Sequence, residues 1–280
     1  MSTFRYAVDD AVASSVPNSV HNAVTDAVTD AVTMVRRSLL HAVRYPVIAY
    51  LIATPVIFLL LFTYVFGTTL GAGIGGSGRA AYLQYVVPGV LLLTVVGGVS
   101  GSAISVSKDL TEGIVARFRT MNISRSAVLL GHVIGNLVQQ VLALLVVLGV
   151  ALLMGFRAAS GVGGWLAAAG LLLLIGLALA WLGAAMGVFA RGVESASNLP
   201  MPLMLLPFLG SGFVPSNSMP GWLQGFAEYQ PFTAFIEALR ALLAGTDPGR
   251  DLWLSLLWAA VIGAAGWLIA RVLYERRSLR

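Results

Sequence analysis

The sequence predicts an all-α membrane protein of six transmembrane helices, preceded by an N-terminal amphipathic helix at the membrane interface. Three observations carry that expectation. Hydrophobic residues make up 58% of the 280-residue chain and charged residues only 10%, with a mean hydropathy of +0.87, against roughly 25% charged residues in an ordinary soluble domain. The apolar residues gather into runs of the length that crosses a bilayer, about 20 residues each. Basic residues flank these runs instead of interrupting them, the pattern that orients membrane helices.

In a soluble protein a net charge of +5 and a pI near 9.9 would raise the question of nucleic acid. Here the charges sit at the ends of apolar runs, so no nucleic-acid partner is expected and membrane lipid is. The chain has no cysteine, which leaves neither a disulfide framework nor a thiolate metal site, and no metal site is expected.

Taken in order, residues 1–45 read as a cytosolic arm. Val20, Val24, Val28 and Val32 recur every four residues, with Thr25, Asp26, Thr29 and Asp30 between them, which makes one apolar stripe on a helix. The stripe is too interrupted to span, and Arg36, Arg37, His41 and Arg44 follow it. An interfacial helix is therefore expected, with a disordered tail before Val24 as the alternative. Pro46 marks the turn into the membrane. The first apolar run starts too late and runs too long for a cleavable signal peptide, so it is expected to be a retained span.

The membrane domain is expected over 46–273. Its first span covers Pro46 to Phe66, and a glycine-rich loop from Gly67 to Gly78 follows. The second, Tyr85 to Ser107, carries Gly97, Gly98, Ser100, Gly101, Ser102 and Ser105, small residues that let helices approach closely. A charged segment, Lys108 to Arg125, leads to the third span, Ala127 to Met154. The fourth runs from Trp165 to Ala190 and ends in a polar turn, Arg191 to Asn198. The fifth, Leu199 to Val214, holds Pro200, Pro202 and Pro207 and is expected to be broken or kinked. Residues 215–249 are amphipathic but too polar to cross, and Pro231 should divide them into two short helices. The sixth span is Leu252 to Leu273, and 274–280 is a basic cytosolic tail.

Counting charges orients the chain. With both termini in the cytosol, thirteen of the seventeen basic residues lie inside, and only Arg79, Arg157, Arg240 and Arg250 lie outside. The expected location is the inner or plasma membrane.

A pump needs an energy source, and each source leaves a mark. A P-loop places a lysine after glycine to reach phosphates, whereas the sole lysine, Lys108, stands between Ser107 and Asp109. No nucleotide site, catalytic residue or cofactor is therefore expected on this chain. Ion-coupled carriers place ionisable groups inside their spans. The intramembrane candidate here is His132, near one end of the third span, and it reads either as a relay or as a packing residue. His132, Asn136, Gln139 and Gln140 share one helical face. Such a stripe is costly against lipid, so it should line a pathway or a subunit contact, or else only make inter-helix hydrogen bonds. Gly131 and Gly135, and Gly183 and Gly187, have the GxxxG spacing expected to serve helix packing. The segment KDLTEGIVARFRTMNISR has the make-up of a short amphipathic helix that docks on a partner, or of a solvated positive loop. Glu237 and Arg240 are spaced to pair on a helix.

Three stretches together resemble one family. They are RRSLLHAVRYPV followed by LLLFTYVFG, the EG-x-x-x-RF-x-TM-x-ISR segment, and VP-x-x-x-MPGWLQ-x-FAEYQPFT-x-x-IEALRALL-x-G. From about Val35 to its C-terminus the chain resembles the type-2 ABC exporter permeases, especially the daunorubicin-resistance-like drug and lipid exporters. The resemblance implies a permease whose ATP and Mg are bound by a separate cytosolic ATPase, in two copies, and a second permease, identical or homologous. It makes Asp109, Glu112, Gly113, Arg117, Phe118 and Arg119 part of an ATPase-coupling loop, and the segment before Pro46 a connecting helix. It makes Trp222 to Leu243 extracellular re-entrant helices, with Trp222, Glu228, Pro231, Glu237 and Arg240 at the exit gate. Asn122 stands where the family commonly carries proline. The expected cargo is amphipathic drugs or lipid-like molecules. A gradient-driven carrier, a polysaccharide or glycolipid permease, and a non-transport scaffold are the alternatives.

Overall fold

The computed structural model describes residues 46–75, 78–111 and 125–278. Residues 50–280 form one compact unit. The connecting helix expected before Pro46, and Glu112, Gly113, Arg117, Phe118 and Arg119, lie outside the described residues.

The described residues are helical with short turns. Helix α1, Pro46–Leu61, passes through a π-helical turn, Phe62–Phe66, into α2, Gly67–Gly73. Then come α3, Gly78–Thr111, α4, Arg125–Leu153, and α5, Val162–Phe189. Two short helices, α6 (Val193–Asn198) and α7 (Met201–Leu209), precede α8 (Gly221–Tyr229), α9 (Pro231–Ala244) and the long α10 (Gly249–Ser278). Among the described residues five helical stretches are long and apolar enough to cross a membrane: Leu51–Gly73, Gly78–Thr111, Leu129–Leu153, Val162–Phe189 and Gly249–Tyr274.

Helices α3 and α5 form the centre. They bury 72% and 67% of their most apolar stretches, whereas the other three long helical stretches bury 17–28%. The outer helices therefore present apolar faces that lipid or another membrane chain must cover. Close approach at the centre follows from missing side chains. A β-carbon on Gly183 would lie 2.6 Å from the Val99 carbonyl oxygen, and one on Gly187 would lie 2.4 Å from that of Ala103. Ser102 Oγ donates to the Ala180 carbonyl at 2.8 Å across the same seam. The other GxxxG pair behaves differently, because nothing lies within 4 Å of a β-carbon built on Gly131 or Gly135. That face of α4 packs on nothing within the described residues.

Two sequence expectations change. The glycine-rich stretch after Phe66 is not a loop: it stays helical to Gly73. Its glycines serve a helix hairpin, since a β-carbon on Gly71 would meet the Gly78 carbonyl oxygen at 2.1 Å. The polar turn expected over Arg191 to Asn198 contains helix α6 instead.

The proline-rich segment is broken, as its prolines require. Pro200 and Pro202 have no amide hydrogen for an i→i−4 bond, so α6 stops at Asn198 and α7 restarts with Pro200 at its N-cap and Pro202 in its first turn. Ala196 packs with Ala103, and Gly212 lies against Gly89. Gly89 and Ala103 are fourteen residues apart on α3, about 21 Å at the helical rise. The segment 196–212 thus runs antiparallel to α3 over that distance.

At α9 the chain ends its helix with Gly245 at φ 73°, while Thr246 N–H bonds the Ala241 carbonyl at 3.0 Å. This left-handed glycine cap turns the chain into α10.

Candidate functional site

Three groups of polar side chains punctuate the apolar bundle. At the Thr111 end of α3, His132 Nε2 and Asp109 Oδ2 are 2.7 Å apart, the imidazole donating to the carboxylate, and both side chains are about three-quarters buried. The contact joins the last turn of α3 to the second turn of α4, on either side of 112–124. Thr111 Oγ1 donates to the Ser107 and Lys108 carbonyls at 3.0 Å, closing the end of the helix. Of the coupling residues expected from the sequence, Asp109 is the one the described residues include.

One turn further along α4, Asn136 Nδ2 donates to the Gly98 carbonyl at 3.0 Å, and Gln140 Nε2 donates to Asn136 Oδ1 at 2.6 Å. Asn136 is 5% exposed and Gln140 1%. Both fit because α3 and α5 offer glycine opposite them, at Gly98, Gly101 and Gly176. Gln140 Oε1 is buried without a partner, and Gln139 is half-buried on the flank. The stripe faces the interior of this chain, where it cross-links α3 and α4.

The Gly78 end carries the densest polar network. Here α7 ends at Leu209 and the following turn leaves its carbonyls without helical partners. Tyr82 Oη donates to the Phe213 carbonyl at 3.0 Å, Tyr85 Oη to that of Ser211 at 2.8 Å, and Arg240 Nη2 to that of Ser211 at 2.8 Å. Arg240 also bonds Glu237 through Nη1, and its guanidinium carbon lies 3.9 Å over the Tyr85 ring. Ser211, Gln230 and Thr233 are more than nine-tenths buried, and their side-chain polar atoms lack partners. Among the gate residues expected from the sequence, Glu237 and Arg240 pair and Pro231 opens α9. Glu228 accepts from Gln224 Nε2 at 2.9 Å, and Trp222 is 80% exposed. Trp222 and Glu228 stand on α8, apart from the Arg240 network.

Tyr82, Tyr85 and Ser211 were not singled out by sequence. The tyrosines bond carbonyls more than 120 residues away along the chain, and Arg240 reaches Ser211 across 29 residues, so no helical spacing exposes them. The available signal was the proline-broken helix, whose freed carbonyls need donors.

Ionisable side chains of the long apolar helices stand near their ends: Arg79, Lys108, Asp109, His132, Arg250, Asp251 and Arg271. No cluster able to hold a metal ion occurs among the described residues. A bundle of several long apolar helices with polar ends and an uncharged middle defines a polytopic membrane protein. The model of the ABC-2 type transporter family matches residues 29–244. A daunorubicin resistance ABC transporter permease protein of Streptomyces coeruleorubidus is 33% identical over 230 residues, 81% of this chain and 79% of that protein. A probable doxorubicin resistance ABC transporter permease protein of Mycobacterium tuberculosis is 25% identical, covering 81% of each chain. An inner membrane transport permease of Escherichia coli is 25% identical over 66% of this chain and 72% of its own. The chain belongs to the ABC-2 type transporter family and is a transmembrane permease of that class.

Proposed function

We propose that this chain is the membrane half of an ATP-driven exporter moving amphipathic drugs or lipid-like molecules out of the cell. ATP and Mg are bound and hydrolysed on a separate cytosolic subunit, present in two copies. A second permease, identical or homologous, completes the pathway. The observation that carries this reading is the family match running unbroken over 29–244, joined to relatives whose names record resistance to daunorubicin and doxorubicin.

The chain crosses the membrane six times with both termini in the cytosol, α6 and α7 forming one broken crossing. The antiparallel run of 196–212 along α3 supports the count, and the thirteen-to-four division of basic residues supports the orientation. The domain then covers 46–273, with 1–45 as cytosolic arm and interfacial connecting helix and 274–280 as cytosolic tail. Helices α8 and α9 re-enter from outside and cap the exit, with Trp222, Glu228, Pro231, Glu237 and Arg240 at the gate. The loop carrying Asp109, Glu112, Gly113, Arg117, Phe118 and Arg119 receives the motion of the ATPase. The Asp109–His132 contact supports that role, because it ties the start of the loop to the helix that follows it.

Replacing Glu112 or Gly113 tests the assignment. With the ATPase subunit present, Glu112→Ala and Gly113→Ala should each leave the complex assembled and ATP hydrolysis running while drug export falls at least about tenfold, roughly 1.4 kcal/mol in the coupling step. Full export by both variants would remove the loop from the mechanism.

A further inference from the structure

A cavity of about 370 Å³ opens at the Gly78 end between α3, α9 and the α4–α5 turn, a volume within the range of small-ligand pockets. Its walls are apolar, with Ala81, Pro88, Phe156 and Leu243 among them, and two guanidinium side chains, Arg157 and Arg240, reach it together with Gln84 and Tyr85. Arg157 is exposed and Arg240 half-buried.

Both arginines are held in place. With its amide atoms assigned from the bonds available, Gln84 accepts from the Arg157 N–H at 3.0 Å and donates to the Arg157 carbonyl at 3.1 Å. Arg157 Nη1 donates to the Leu152 and Phe156 carbonyls at 2.9 Å. Tyr85 lies under the Arg240 guanidinium, and Ser211 accepts from it. Glu237 offsets the charge of Arg240, whereas Arg157 has no carboxylate partner among the described residues. Arg240 Nε is buried without an acceptor. The pocket thus carries two guanidinium groups and, among the described residues, one carboxylate partner, on Arg240.

A second, smaller cavity of about 160 Å³ lies between α4 and α5 and is lined by apolar side chains, including Leu144, Leu148, Trp165 and Leu172. Leu243 walls both cavities. A cationic pocket beside an apolar groove matches a molecule with one acidic head and a hydrocarbon body.

We infer that the Arg157–Arg240 pocket binds the anionic head group, phosphate or carboxylate, of an amphiphile whose apolar part lies along the Leu243 groove. The head group would accept from the Arg157 guanidinium beside the positive charge of Arg240, charge-assisted bonds stronger than neutral ones. This site goes beyond the exporter reading and does not depend on it.

Native mass spectrometry of the full-length chain, titrated with phosphatidylglycerol or with phosphatidylcholine of the same acyl chains, tests the inference without nucleotide. The wild type should prefer phosphatidylglycerol by about tenfold or more. Arg157→Gln should erase that preference while leaving phosphatidylcholine binding unchanged. Ala81→Phe keeps every charge but fills the cavity, and should also weaken phosphatidylglycerol binding, so the outcome does not hang on one variant's folding. Equal binding of the two lipids by the wild type, or an unchanged preference in both variants, would overturn the proposal. Displacement of phosphatidylglycerol by an equal concentration of inorganic phosphate would reassign the site to a free anion. None of these failures touches ATP-driven export, since nothing is transported in the measurement.

Discussion

Gln140 fills the space that a side chain on Gly98 would need: a β-carbon there would lie 2.3 Å from Gln140 Nε2 and 2.5 Å from its Cγ. A glutamine and a glycine on neighbouring helices thus fit as knob and notch, with Asn136 bonded to the Gly98 carbonyl beside them.

Gly98→Ala should therefore lower stability by about 1–3 kcal/mol, the usual cost of overfilling a tight interior. Thermal unfolding of the purified protein in detergent reads the effect. Adding Gln140→Ala should recover most of the loss. If the double variant is no more stable than Gly98→Ala alone, the knob-and-notch reading fails.

The two GxxxG pairs should respond in opposite ways. Gly187→Leu forces α3 and α5 apart where the backbones nearly touch, and should cost several kcal/mol, at or above the usual overpacking range of about 1–3 kcal/mol. Gly131→Leu adds a side chain where nothing among the described residues lies within 4 Å of its β-carbon, and its unfolding midpoint should stay within about 0.5 kcal/mol of wild type, as surface changes do. Equal destabilisation by both would contradict the arrangement of helices.

How far the sequence foretold this comes down to which forces act locally. The long spans were legible because twenty apolar residues in a row leave the backbone no choice but a helix. Their ends were less so: the second was expected from Tyr85 to Ser107, but α3 runs Gly78–Thr111, because a helix continues beyond the apolar part that marks it. Gly67 to Gly73 looked like a loop, since glycine disfavours isolated helices, yet the α2–α3 hairpin uses the missing side chains. The stripe of Asn136 and Gln140 was visible from its spacing. The glycines that receive it were not, because they lie on two other helices. The Arg240 and Glu237 pair was likewise legible at i, i+3, while its grip on Ser211 and Tyr85 depends on how the broken segment folds back.

Arg240 should prove the keystone of the Gly78 end. Arg240→Gln removes the bond to the Ser211 carbonyl, the pair with Glu237 and the cation over Tyr85, and should cost about 2 kcal/mol, the range of a hydrogen bond to a charged group. Arg240→Lys should recover little, since an ammonium cannot hold the carboxylate, the carbonyl and the ring at once. Full recovery by lysine, measured by thermal unfolding, would argue that charge alone matters.

The Asp109–His132 contact should matter more for coupling than for folding. Asp109→Ala should lower stability by no more than about 1 kcal/mol, as for a partly exposed pair. It should also reduce substrate moved per ATP hydrolysed in proteoliposomes. His132→Ala should act alike, and the double variant should be no worse than either single one. Additive losses would show that the two residues act separately.

The central claim is that the energy for transport comes from a cytosolic ATPase acting on this permease. Proteoliposomes holding the permease with and without that subunit, loaded with ATP or with an imposed proton or sodium gradient, test it most directly. An amphipathic drug should accumulate against its gradient only when the ATPase and ATP are both present, and an uncoupler should leave that accumulation unaffected. Uphill transport by the permease alone, lost when the ion gradient is collapsed, would contradict the claim.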